Sequence, residues 1–454
     1  MMTVRLMGRD VAVSPRATLE AARAEVARTP RALRIWYALL LALMAIGGIA
    51  ALFTIPPGTE VFGTTPSFEW GLLIAAYVFF AITTSGLCLG SSLGTVFGID
   101  LFRPLEKRHA ILAVLSLTTA FGIIALDLHF PVRMVFGAVF NPTFSSPMWW
   151  MGAFYGMYLC FLLVEVWSMF TGHDRIHWYA CFASSCTAVL APATLGAVFG
   201  VLLVRTYWYG LFTPVTMLVT ALLSGSALLG IVFFFVIRLR LVGFERGERR
   251  AVPAVRVLLA VALVGSIVLL ARSVVDGLLS ADRGAHEAVV ALVGGPLAVP
   301  FWTRVVGGLA IPLALIAVPR TRTVGGTALA AGLAFIGVIV DRLLFVIAGQ
   351  IVPDSTVGGV VSAPYVTYAP SVVEIAIVVA AFAFVAFVYT LAERYLDLRE
   401  HTIHAGFHLP SFVAGLRARW AARVAARATA TPTDATPTDA GPVERAGGAD
   451  GGRG

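Results

Sequence analysis

Residues 71–98 read GLLIAAYVFFAITTSGLCLGSSLGTVFG, 28 positions without a charged side chain. A helix rises about 1.5 Å per residue, so this run outspans a hydrocarbon core of about 30 Å. Outward from it, similar stretches recur at 35–55, 110–130, 149–171, 178–204, 209–237, 254–278, 302–319, 324–350 and 371–392. The expectation is an all-α integral membrane protein with about ten transmembrane helices. The eighth stretch, 302–319, is the shortest and carries Pro312. Pro192 and Pro214 also fall inside stretches, where neighbouring helices can satisfy the freed carbonyls.

Composition agrees. Of 454 residues, 59% are hydrophobic and 13% charged, against about 25% charged in soluble domains. That excludes a soluble multidomain enzyme and disorder over most of the length. The net charge is +8, but the cations sit between apolar stretches, so the excess reports topology and not nucleic-acid binding. With the N-terminus inside, the inner segments hold 27 of the 33 cations, whereas loops 56–70 and 351–370 hold none. Outer segments and adjoining helix ends carry only Arg133, Arg205, Arg272, Arg283 and Arg304, and Arg342 lies within a span. Both termini are expected in the cytoplasm, in a cytoplasmic membrane.

Three regions follow: a cytoplasmic segment 1–34, a membrane domain 35–396 and a cytoplasmic tail 397–454. Segment 1–34 is too long and polar for a signal peptide's basic start. Ser14, Pro15 and Pro30 bound a short surface helix within it. In the tail, 411–428 suits a helix on the membrane surface. Disorder is expected from about 429, through two Ala-Thr-Pro-Thr-Asp repeats and a Gly-rich end.

Ionisable groups at membrane depth are costly and turn inward. Asp127 and His129 end the third span, with Arg133 beyond. Glu165 lies deep in the fourth, and Glu374 opens the tenth. Arg272 and Asp276, four apart, share a face of the seventh. Asp341 and Arg342 are adjacent, point about 100° apart, and therefore need partners on other helices. For Glu165 and Asp341, a proton relay and a structural pair stand equally open.

Haem would need inward-facing His ligands at matching depth. Only His129 approaches a span interior, so no haem is expected. Cys88, Cys160, Cys181 and Cys186 form no cluster-binding run, so no iron–sulfur cluster and no metal is expected. Trp70, Trp149, Trp150, Trp208 and Trp302 suit an interfacial belt, and some of them could stack on a flat quinone ring.

Several motifs carry a family resemblance. ALDLHFPVRM (125–134), followed by NPTFSSPMWWMG (141–152), resembles the membrane subunits of the polysulfide reductase family of NrfD type. Those typically carry LDLGxPxR at a helix end and a Ser-Pro-Met segment opening the next. YVFF (77–80) with Ser85-Gly86, YGMY (155–158), TLGAVFG (194–200) with WYG (208–210), YAPSVVE (368–374) and ERY (393–395) extend the resemblance over roughly 70–400. The ten-span branch resembles the membrane subunits of alternative complex III and hydrogenase-2.

The resemblance implies two four-helix bundles plus one flanking helix at each end. It implies a quinone- or quinol-interacting subunit of a multisubunit respiratory oxidoreductase. Menaquinone or ubiquinone would be an exchangeable substrate near the outer face of the first bundle. Electrons would pass to or from a ferredoxin-like iron–sulfur subunit, beside a molybdopterin catalytic subunit or a multihaem cytochrome. Quinone chemistry would proceed only together with those partners.

Residue by residue, Asp127 and Arg133 match the motif's Asp and Arg, and His129 replaces its Gly. Tyr77 stands on a helix where relatives place a hydrogen-bonding His. Thr84 and Ala193 stand where longer relatives carry His. The resulting assignment is Asp127 as proton acceptor or orienter, Arg133 as its electrostatic tuner, and Tyr77, His129 and Trp150 as quinone-binding partners. Glu165, Asp341, Arg342 and Glu374 are candidates for proton movement. Asp127 and His129, two apart, can meet one ring edge only if the helix end is irregular. The rival classes are a secondary transporter, which should show Gly/Pro-interrupted spans in corresponding halves, and an anchor without quinone chemistry.

Overall fold

The computed structural model describes residues 2–6, 9–13, 29–54, 61–128, 142–239, 246–353, 365–396 and 398. Among them, ten helices are long and apolar enough to cross a membrane. They are α1 (Arg31–Leu52), α2 (Leu72–Thr95), α3 (Glu106–Asp127), α4 (Pro147–Thr171), α5 (Asp174–Gly200), α6 (Phe212–Leu239), α7 (Arg246–Leu278), α9 (Ala298–Ala317), α10 (Val324–Ala348) and α11 (Val372–Tyr395). A short α8 (Arg283–Val293) fills the loop before α9. A two-stranded antiparallel hairpin, Met2–Leu6 against Arg9–Val13, precedes them. The helix expected between Ser14 and Pro30, and the tail from 399, lie outside the described residues.

α2, α3, α4 and α5 pack as one four-helix bundle, and α6, α7, α9 and α10 as a second. The flanking helices α1 and α11 pack on each other, and α11 lies against α3 and α2. α2 is central, meeting α3 and α5 in its own bundle and α6 and α10 in the other. Its sequence explains the position. It is apolar all round, as a helix buried on every side must be. Its second half (Ser85, Gly86, Cys88, Gly90, Ser91, Ser92, Gly94) is small enough for backbones to approach. Thr83, Thr84 and Ser91 donate to carbonyls three or four residues back, at 2.6, 3.0 and 3.0 Å, so their hydroxyls are satisfied in a dry interior.

The seam between the bundles is tightest at α2 and α6. A Cβ on Gly225 would stand 2.8 Å from the Cα of Gly86, and one on Gly86 would overlap the Ala221 backbone. Large apolar side chains such as Leu39, Val261, Val268 and Ile336 remain exposed on outer faces, where lipid is their natural neighbour.

Two details depart from the sequence reading. α6 starts at Phe212, so Pro214 lies in its first turn, where a missing N–H costs nothing. α9 is interrupted: Ala298–Trp302 and Ile311–Ala317 are α-helical, and Thr303–Ala310 forms a π-helix. Pro312 stands two residues beyond the end of that segment. It has no N–H to donate to the carbonyl four residues back, and a local change of hydrogen-bond register accommodates the gap.

Candidate functional site

Hydrogen bonds sort the loops into two ends. At one end, Gly63 N donates to Glu374 Oε2 at 2.9 Å, Trp70 N to Gln350 Oε1 at 3.0 Å and Leu72 N to Tyr368 Oη at 2.7 Å. Tyr368 in turn donates to Glu374 Oε1 at 2.7 Å. Burial, this hydrogen bond and the charge of the carboxylate push the Tyr368 phenol well above its ordinary pKa, so it stays a donor. Ser371 N gives Glu374 a further bond at 2.7 Å, closing a capping box at the start of α11. Glu374 is thus fully buried with polar groups from two segments organised around it, a clamp between the loop before α2 and the start of α11.

Asp127 ends α3, half-buried, within electrostatic reach of Glu374 and Tyr368. His129 and Arg133 lie outside the described residues. Tyr77, buried five residues into α2, donates to Met151 Sδ on α4 at 3.5 Å. Trp150, beside Met151, is partly exposed, stacks on Phe154 and donates to Phe144 O at 2.8 Å. Asp127, Tyr77 and Trp150 therefore share one end of the first bundle. A cavity of about 660 Å³ opens at the same end over the seam between bundles, lined by Trp70, Arg205, Trp208 and Gln350. Tyr77, Asp127 and Trp150 do not line it.

From Tyr77 a line of buried polar groups descends through the bundle. The hydroxyls of Tyr155 and Ser85 are buried within reach of each other. Tyr158 donates to Thr84 O at 2.9 Å. Below them Cys88 Sγ is 3.5 Å from Ser184 Oγ, which donates to Glu165 Oε2 at 2.6 Å. Glu165 Oε1 has no partner.

The line ends in a cluster that sequence reasoning missed. Glu106 opens α3 fully buried, taking His177 Nε2 at 2.6 Å and the Thr95 hydroxyl on Oε1, while its Oε2 is unpartnered. His177 Nδ1 faces Ser168 Oγ and the Glu165 carbonyl, each at 3.4 Å. In sequence, Glu106 and His177 read as solvated edge residues. Glu106 directly follows the 3-10 turn Asp100–Leu105, and its carboxylate is covered. Beside this cluster Arg108 pairs with Glu393 of α11 at 2.9 Å, both fully buried, and Tyr389 donates to the same carboxylate at 2.8 Å.

Asp341 and Arg342 belong to the second bundle. Arg304, on the π segment of α9, reaches Asp341 Oδ1 at 2.7 Å. Its side chain is thus largely buried against α10. Arg342 does not need a distant carboxylate, because its long side chain folds back so that Nε donates to Asp341 Oδ2 at 3.0 Å. Both Asp341 oxygens are committed to guanidiniums, which favours the ion-pair alternative there. Arg272 and Asp276 pair at 2.8 Å on a half-exposed face, as their spacing requires. Among the described residues, no three or more His, Cys, Asp or Glu converge as a metal-binding group.

Comparison with known proteins adds a lineage to this geometry. A selenate reductase subunit from Mesobacillus selenatarsenatis is 25% identical over 239 residues, 44% of this chain and 56% of that protein. The Hdr-like menaquinol oxidoreductase integral membrane subunit of Archaeoglobus fulgidus is 25% identical over 385 residues, 79% of this chain and 92% of that protein. Residues 60–354 match the family described as polysulphide reductase, NrfD, a stretch that runs from the loop before α2 past the end of α10 and so takes in both four-helix bundles. The resemblance seen at 368–374 and 393–395 lies beyond the matched stretch. This integral membrane protein belongs to the NrfD polysulphide reductase family.

Proposed function

We propose that the chain is the quinone-exchanging subunit of a multisubunit oxidoreductase in the cytoplasmic membrane, with both termini cytoplasmic. Electrons would pass to or from an iron–sulfur subunit, alongside a molybdopterin enzyme or a multihaem cytochrome. A relative named as a menaquinol oxidoreductase subunit and aligned over most of its length supports this. The observation that carries it is the buried line from Glu106 and His177 through Glu165 and Ser184 to Tyr155 and Tyr77. Titratable groups buried this deep in a transmembrane bundle are costly, which marks them as candidates for handling protons or ligands.

The quinone supplies the redox chemistry: oxidising the quinol releases two electrons and two protons. Asp127 stands where it can take one proton or orient the head group, and Tyr77 can turn its phenol from Met151 to a quinone oxygen. His129 and Arg133, close in sequence, would serve as second hydrogen-bonding partner and tuner. Trp150 offers a ring face. The hydrogen bonds present do not join Tyr77 to Glu165, so protons would move along this line of polar groups toward Glu165 and Glu106 through intervening water.

The test is Asp127→Asn in the assembled complex. Quinol-linked turnover should fall about 10²-fold, the scale of a general acid–base group, with the complex intact on native gels. A well-assembled variant with near wild-type turnover and quinone affinity would remove Asp127 from the site. A subunit that is only an anchor would bind no quinone in direct titration of the wild-type complex.

A further inference from the structure

The second bundle contains a cavity that the quinone reading does not use. Its volume is about 80 Å³, and Arg304, Asp341, Arg342, Ser266, Ser273 and Tyr207 are among its walls. That is too small for a quinone ring and ample for an ion with a few waters. Its charges do not balance. Two guanidiniums face one carboxylate, and no other carboxylate lines it. Arg342 is about 1% exposed, and Nη1 has only the weak acceptor Met217 Sδ at 2.8 Å. One unit of positive charge is therefore left in a buried site within the membrane span, a costly state unless something neutralises it.

The hydrogen-bonding inventory points the same way. Ser266 is buried, and its Oγ has no partner although it lies on the cavity wall. The lining threonines of α6 already donate to carbonyls, Thr213 to that of Trp208, Thr216 to that of Phe212 and Thr220 to that of Thr216. With both Asp341 oxygens already taken, what the cavity lacks is a second acceptor carrying negative charge. Water would supply the acceptor without the charge.

We propose that this cavity binds a small monovalent inorganic anion, of which chloride is the natural probe, between Arg304, Arg342 and the Ser266 hydroxyl. The ion would complete an Arg–Asp–Arg–anion quartet and tie the π segment of α9 to α10 and α7.

The test needs no quinol turnover, so it stands or falls separately from the quinone reading. The purified complex is melted at constant ionic strength while sodium gluconate is replaced by sodium chloride. The wild type should gain a few degrees in midpoint, saturably, as a ligand bound only by the native state requires. Bromide should substitute and give an anomalous-scattering peak in the cavity of crystals. Arg342→Met leaves Arg304 and Asp341 as a neutral pair, so this variant should still fold and lose the chloride response. Ser266→Ala should weaken apparent chloride affinity about tenfold, the worth of one hydrogen bond to a charged group. An unchanged midpoint in wild type, or an Arg342→Met variant with the full chloride shift, would overturn the proposal.

Discussion

Glu165 shows how far single residues can be read. Its depth in the fourth span marked it as costly, and the sequence left a relay and a structural pair equally open. In the structure one oxygen takes a 2.6 Å bond from Ser184 and the other is bare. A structural pair would use both. Glu165→Gln keeps an acceptor for Ser184 and removes the exchangeable carboxyl. We expect assembly to be retained and quinol-linked turnover to fall by about 10²-fold, with a larger solvent isotope effect and an altered pH profile. A purely structural Glu165 would leave pH profile and isotope effect unmoved. The carboxylates therefore sort by what surrounds them: Glu374 and Asp341 have committed oxygens, whereas Glu165 and Glu106 have spare ones. That distinction was invisible in the sequence, because it depends on backbone donors and on residues such as Tyr368 and Arg304 that arrive from other elements. Glu106 was missed altogether, since in PLEKRHA it reads as one more charge in a solvated loop.

At the scale of elements, the ten spans were legible because the bilayer imposes one length and one composition on each. Their pairing was less so. Nothing in the lipid-facing surfaces of α1 and α11 announces that they pack together, for apolar faces look alike to lipid and to protein. Small residues are the better guide. Gly86 and Gly225 face each other where α2 crosses α6, with no room for a side chain on either. Gly225→Ala should therefore lower the stability of the folded protein in detergent by about 1–3 kcal/mol, the usual cost of overpacking. Gly122→Ala on α3 is the control: a Cβ there meets nothing within 4 Å, and removing a helical glycine should be neutral or mildly stabilising. Equal melting behaviour of the two variants would mean that the seam is looser than the backbones indicate. The π segment in α9 was beyond sequence reasoning. Pro312 marked a disturbance, but only the packed bundle shows that the disturbance delivers Arg304 to Asp341.

At the scale of the whole molecule, the two ends differ in kind. One end is knitted mainly around acidic and amide side chains: Gly63 and Tyr368 on Glu374, Trp70 on Gln350, Tyr365 on Glu287, with Arg283 beside Glu287 and Arg205 on the carbonyl of Val352. The other carries Arg108 on Glu393, His177 on Glu106, and Arg256 on the carbonyl of Arg322 at 3.0 Å. The sequence count points the same way, with 27 of 33 cations in the segments expected inside. Cations retained beside the cytoplasm set orientation, and ten crossings return both termini to the same side. In the proposed orientation the Asp127 end would face outward, so quinol oxidised there would shed its protons outside unless the Glu165 line carries them inward. Orientation thus decides what the buried line does. Single cysteines test it in a background where Cys160 and Cys186, the exposed native thiols, are replaced along with the buried Cys88 and Cys181. Ser355→Cys should react with a membrane-impermeant maleimide added to intact cells. Arg246→Cys should react only after the membrane is opened. Labelling of Arg246→Cys from outside, with Ser355→Cys protected, would invert the molecule. It would place the proposed quinone site at the cytoplasmic face and turn the Glu165 line into an exit toward the outside.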